Sequence, residues 1–248
     1  MNMLRNFNSN PSSYEHEGTA SRSAEQVKAF LSNVFTYMAG ALAITGVIAY
    51  WFSSSESMMN LLVNTQTGGM TILGYAVMFS PLIFVLVMSF SFNRLSSFSL
   101  LLLFIAYSAV MGMSLSFIFL AYTAASITST FFITAATFGT MALVGYTTKQ
   151  DLTKFGSILM MAVIGLVVAM IINMFLGSAM MDYIISCVGV LIFTGLTAYD
   201  VQKLKRIGSG VEYGTESTNK LAVMGALTLY LDFVNLFLFL LRLFGDRR

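Results

Sequence analysis

The sequence predicts an all-α integral membrane protein with seven transmembrane helices, and three observations carry that prediction. Of its 248 residues, 57% are hydrophobic and only 10% are charged, with a mean hydropathy of +0.80. A soluble domain carries about 25% charged residues, so this much apolar surface needs lipid as its solvent. Seven apolar runs are each long enough to cross a bilayer as a helix, which takes about 20 residues. The loops between them alternate in charge as the positive-inside rule requires.

The elements follow in order. Residues 1–28 are polar and mixed in charge, with none of the apolar core of a signal peptide. They read as a flexible tail ahead of one seven-helix domain, residues 29–248. The runs fall at about 30–52, 71–92, 98–122, 127–146, 156–177, 183–202 and 221–244. Only "TAAS" parts the third from the fourth, which makes that boundary the least defined. Pro81 lacks an N–H and predicts a kink in the second run. Ala39, Gly40, Ala43, Gly46, Gly139 and Gly145 are small enough to let helices approach closely.

With the N-terminus in the cytoplasm, the inner loops hold Arg94, then Lys149 and Lys154, then Lys203, Lys205, Arg206 and Lys220. The outer loops hold Glu56 and Asp182 and no lysine or arginine. The C-terminal Arg242, Arg247 and Arg248 strain the pattern, because seven crossings put them outside. Either the last helix stops short or earlier topology overrules late charges.

Several function classes drop out. Cys187 and His16 are the sole cysteine and histidine, so neither a disulfide within the chain nor a Cys/His zinc site is available. His16 lies in the tail, away from any serine–histidine pair in the spans. The basic residues form no stripe for nucleic acid.

Acids inside the spans are the remaining signal. Asp232, in "LTLYLDFVNLF", lies deep in the seventh run, and Asp200, in "TAYDVQKLKR", ends the sixth. An acid at a helix centre costs about 2.5–3.5 kcal/mol on insertion scales, so it faces the bundle interior and needs a partner. Antiparallel neighbours would let these two meet, although Asp232 sits about 18 Å from the inner end of its run at 1.5 Å per residue. Their depths agree only if the sixth helix continues through "VQKLKR" or the seventh starts after Lys220. If they meet, the pair cannot both ionise cheaply, shares a proton and titrates as a unit. Ionised, it offers hard oxygen ligands to Ca²⁺. The alternatives are that Asp200 pairs with Lys203 or Arg206, and that Asp232 bonds Asn235 or Arg242 in its own helix. Asn173 and Asn235 are further polar side chains within the runs, read as interhelical hydrogen-bonding groups or pore contacts. Arg94 snorkels to headgroups or pairs with an acid across a pore.

"TYMAGALAITGVIAY" (36–50), "FITAATFGTMALVGYTTKQDLTKFGSILMMAVIGLVVAMIINMFL" (132–176), "TGLTAYDVQKLK" (194–205) and "ALTLYLDFVNLFLFLLRLFG" (226–245) resemble the bacterial branch of the Bax inhibitor-1 family. The resemblance spans residues 30 to 245 and implies two three-helix layers around a central C-terminal helix. It implies a pH-sensitive calcium leak of the bacterial inner membrane, without enzymatic activity or a bound cofactor. The family's aspartate pair falls on Asp200 and Asp232, and its gating basic residue falls on Arg94. Some members carry a glutamate in the second helix, where "MFSPLIFVLVMSF" has none.

Two other readings compete with the leak. One is a non-conducting regulator whose tail contacts other membrane proteins, such as a membrane protease. The other is an intramembrane aspartyl protease, disfavoured because its second acid follows Gly-x-Gly whereas this chain reads "LYLD". Expected partners are therefore lipid, Ca²⁺ and other membrane proteins.

Overall fold

The computed structural model describes residues 11–64, 69–212 and 214–247, and nearly all of them are helical. The helices are α1 (Pro11–Ser54), α2 (Glu56–Leu62), α3 (Ile72–Ser91), α4 (Ser97–Leu115), α5 (Ile118–Ala121), α6 (Ala124–Thr147), α7 (Thr153–Leu176), α8 (Ala179–Gly210) and α9 (Glu216–Phe244). Seven stretches are long and apolar enough to span a bilayer: the body of α1, α3, α4 with α5, α6, α7, α8 and α9. Helices suit lipid because each satisfies its own backbone polar groups.

Their ends follow local chemistry. Thr71, Ser96, Thr123, Ser178 and Thr215 each cap a helix by accepting from the amide three residues on. Gly177 closes α7 in the left-handed region, at φ 63°, donating to the Asn173 carbonyl.

Five details refine the sequence reading. The first helix runs from Pro11 and buries Val27, so the end of the expected tail is helical and packed; residues 1–10 lie outside the described residues. Pro81 lies inside α3, which stays helical on both sides of it. The third span breaks at Ser116–Phe117 before the short α5, and α6 begins at Ala124, three residues ahead of the expected start, with Thr123 as its cap. Short α2 was not anticipated; it precedes an isolated bridge between Val63 and Met70. Finally, α9 crosses in full, and Arg242 and Arg247 reach Asp182 at its far end (3.8 and 3.9 Å). The late arginines thus lie at the end opposite Lys203 and Arg206, countered by an acid.

α9 is the buried element: 72% of its most apolar window is covered, against 11% for α7. It packs on α1, α4, α6 and α8, while α3 leans on α4 and α7 on α8. Phe79, Leu82 and Ile83 of α3 and Ile164, Val168 and Phe175 of α7 are exposed, as lipid-facing side chains must be. Near mid-bundle the Thr45 hydroxyl donates to the Ser108 carbonyl (2.9 Å) and accepts from Tyr230 (2.7 Å), tying α1, α4 and α9. The Tyr107 and Phe104 rings pack edge-on against Tyr230 there.

The small residues divide. A Cβ at Gly145 would collide with the Ala198 carbonyl, so α6 meets α8 backbone to side. Gly40, Gly46 and Gly139 are different, because a Cβ there meets nothing within 4 Å. The close-packing reading is therefore corrected at those three. Gly145→Val should lower stability by about 1–3 kcal/mol through overpacking, whereas Gly139→Ala should be neutral or gain up to about 1 kcal/mol from helix propensity. Thermal melting of both variants in one detergent checks the contrast.

Candidate functional site

The site grows from the register of α8 against α9. These antiparallel helices touch where Leu204 fills the space over Gly225 and, farther along, where the Phe239 ring rests on Gly189. Between those two contacts lie Asp200 and Asp232. The sixth helix does continue through "VQKLKR", to Gly210. That extension brings Asp200 to the depth of Asp232, the first of the two adjustments anticipated.

Asp200 is 7% exposed and Asp232 5%, and the two buried carboxyl groups lie close enough to act on each other. No hydroxyl, amide or cation among the described residues donates to Asp232 Oδ2. Lys203 is the cation whose charge reaches Asp200. Arg206 and Arg242 are engaged elsewhere.

Other candidate residues stand apart from the pair. Arg94 is exposed in the turn after α3, with no ion pair to an acid among the described residues. Asn235 donates to the Leu231 carbonyl of its own helix (2.8 Å). Asn173 accepts from the Ser178 amide (3.1 Å), so it fastens the α7–α8 turn at the far end and does not bridge packed helices. No group of three or more His, Cys, Asp and Glu side chains gathers among the described residues. The pair thus has at most four carboxylate oxygens to offer a cation.

Two features around the pair escaped the sequence reading. On the basic end, Gln202 accepts from the Leu152 amide (2.9 Å) and donates to the Gln150 carbonyl (2.7 Å), pinning the "TTKQDL" loop to α8. Arg206 adds bonds to Asp151 (3.1 Å), Thr153 (2.9 Å) and Gln202 (3.1 Å). Lys205 donates to the Tyr146 carbonyl (2.7 Å) and lies over its ring. A glutamine two residues after Asp200 was the available signal. On the opposite side, Phe193 and Phe239 stack with centroids 5.8 Å apart, and Arg242 lies 5.7 Å from the Phe239 ring. These rings fill the α8–α9 seam just beyond the carboxylates.

Comparison with known proteins agrees with this architecture. A family model described as Inhibitor of apoptosis-promoting Bax1 matches residues 27–248. The inner membrane protein YbhL of Escherichia coli (strain K12) is 44% identical over 223 residues, covering 90% of this chain and 93% of YbhL. A protein of Borreliella burgdorferi is 43% identical over 219 residues, 88% of this chain and 92% of its own. Protein RP147 of Rickettsia prowazekii is 42% identical over 224 residues, 90% of this chain and 92% of its own.

The loop latch has a definite pH response. The Thr153 hydroxyl and amide, with Arg206 beside them, hold the Asp151 carboxyl below its ordinary range. A depressed carboxyl contributes above its unfolded value and is lost as pH falls through the folded one, below about pH 4. The loop amides of residues 149–153 should therefore stay protected from hydrogen exchange at neutral pH. Asp151→Asn should speed their exchange severalfold, and Gln202→Ala should do so more strongly.

Proposed function

The chain belongs to the Bax inhibitor-1 family of multi-pass membrane proteins, and from that premise we propose that it is a passive, proton-gated cation leak, calcium foremost. One observation carries the reading: two buried carboxyl groups face each other between α8 and α9, deep in the apolar bundle. Nothing about helix packing requires them, since an apolar pair would fill the seam without the cost of burying acids.

The mechanism follows from their chemistry. In a singly protonated form the two carboxyl groups can share the proton across a closed contact. Loss of the shared proton sets two negative charges against each other at low dielectric. That repulsion is relieved by a cation entering between them or by separation of α8 from α9. With at most four oxygens, the pair is short of the six to eight that Ca²⁺ takes in a tight site. Water completes the shell, which suits passage better than retention.

By the positive-inside rule, the basic residues at that end of the bundle, from Arg94 to Lys220, support assigning it to the cytoplasm. YbhL is an inner membrane protein, and we assign the same membrane to this chain. The reading involves no catalysis and no resident cofactor. Arg94, exposed at the cytoplasmic end, acts on the entry to the path and not on the carboxylates directly.

The test is calcium flux into liposomes holding the purified chain, measured across a pH series. A single-proton gate changes flux by at most about tenfold per pH unit. Asp200→Asn and Asp232→Asn should each flatten that dependence while the protein stays folded. If both variants conduct and respond to pH as the wild type does, the carboxyl pair is not the gate. Equal flux of Ca²⁺, Na⁺ and K⁺ would keep the gate and remove the calcium preference.

A further inference from the structure

A cleft on the bundle's flank points to a ligand independent of the leak. α1 and α6 do not pack on each other along their length, although both pack on α8 or α9. Between them near the basic end lies a cleft of about 420 Å³. Leu31 and Phe35 of α1 form one wall, Gly139 and Ala142 of α6 the other, and Val201 of α8 the floor. Val201 adjoins Asp200 in sequence and is 1% exposed.

The walls are apolar except at one end. There Lys28 lines the cleft, exposed, and Tyr146 carries the Lys205 ammonium on its carbonyl and ring. Gly139 explains how the cleft stays open: a Cβ there meets nothing within 4 Å, so its small size serves no helix contact. The volume is that of about one helical turn, too little to seat a protein helix. It falls in the range of about 300–1,000 Å³ typical of small-ligand sites. An open apolar groove of this size, bordered by cations at one end, matches one amphiphile, a chain with an anionic head.

We propose that this cleft binds one acyl chain of an anionic glycerophospholipid from the leaflet at the basic end, with its phosphate held at Lys28. Gly139 admits the chain, and the Lys205–Tyr146 contact adds positive charge behind the headgroup. The seated chain touches Val201 and so braces the α8 turn that presents Asp200.

The experiment is native mass spectrometry of the purified full-length chain in detergent, with phosphatidylglycerol and phosphatidylcholine of identical acyl chains added in equal amounts. The wild type should retain one phosphatidylglycerol over phosphatidylcholine by about fivefold, the worth of one lysine beside an anionic headgroup. Lys28→Gln should bring the two lipids level, and Gly139→Leu should remove retention of both. Equal retention by the wild type, an unchanged preference in Lys28→Gln, or wild-type retention in Gly139→Leu would overturn the proposal. A second readout does not depend on any variant folding: phosphatidylglycerol with a photoreactive group in mid-chain should label residues 28–35 or 139–146 of the wild type. Labelling confined to other helices overturns the site. These outcomes do not depend on whether the chain conducts ions, so failure here and failure of the leak are separate results.

Discussion

Two carboxyl groups facing one another inside an apolar bundle constrain every helix around them. Each must be kept from lipid, which requires a wall on all sides of the α8–α9 seam. α6 covers it on one side, α1 and α4 complete the enclosure of α9, and α7 shields the outer face of α8. The polar contacts elsewhere fit that demand. The Thr45–Tyr230 bond holds α9 to α1 at nearly the depth of Asp232, and the Ser97–Glu216 contacts fix where α9 begins. An axial slip of one residue between α8 and α9 moves a carboxylate about 1.5 Å along the seam and turns it by roughly 100° away from its partner.

The register is therefore guarded at both ends. Near the basic end Leu204 sits over Gly225, and the glutamine–arginine latch holds the loop before α7 on the α8 extension. At the far end Arg242 and Arg247 reach Asp182. These ion pairs are half exposed and long, so their worth is small. Glycine-to-ring and glycine-to-leucine packing carries most of the specificity, because close-packed interiors admit few alternative fits.

Much of this was legible in the sequence. Seven apolar runs appear as seven helices, since lipid solvation writes itself directly into hydropathy, but the first helix starts well before its run and the sixth continues past its run to Gly210, where polar residues carry the helix on. Asp232 announced itself by its depth, and the α8 extension that Asp200 required was foreseen as a condition. What was hidden shares one cause: hydropathy reports whether a side chain leaves water, not which neighbour it meets. Gly40, Gly46 and Gly139 look like Gly145 in sequence, yet only Gly145 lies against another helix's backbone. Asn173 looks buried in an apolar run, but Gly177 ends the helix four residues later and turns the asparagine to local capping. Gln202 reads as one more polar residue beside a lysine until the loop arrives to fill both ends of its amide.

The stacked Phe193 and Phe239 rings bear on timing. They occupy the seam between the carboxylates and the Asp182 end, and Gly189 beneath them leaves no slack for the Phe239 ring to settle deeper. In the proposed leak, a cation coming from that end would meet aromatic carbon before it meets oxygen. Its transit waits for the rings to swing or the helices to part, and collective motions of packed helices take microseconds to milliseconds. Throughput would then be counted in openings per second, not set by how tightly the carboxylates hold the ion. Under the proposed function such a seam would drip where an open pore would stream, a pace suited to setting a resting level and not to firing a signal.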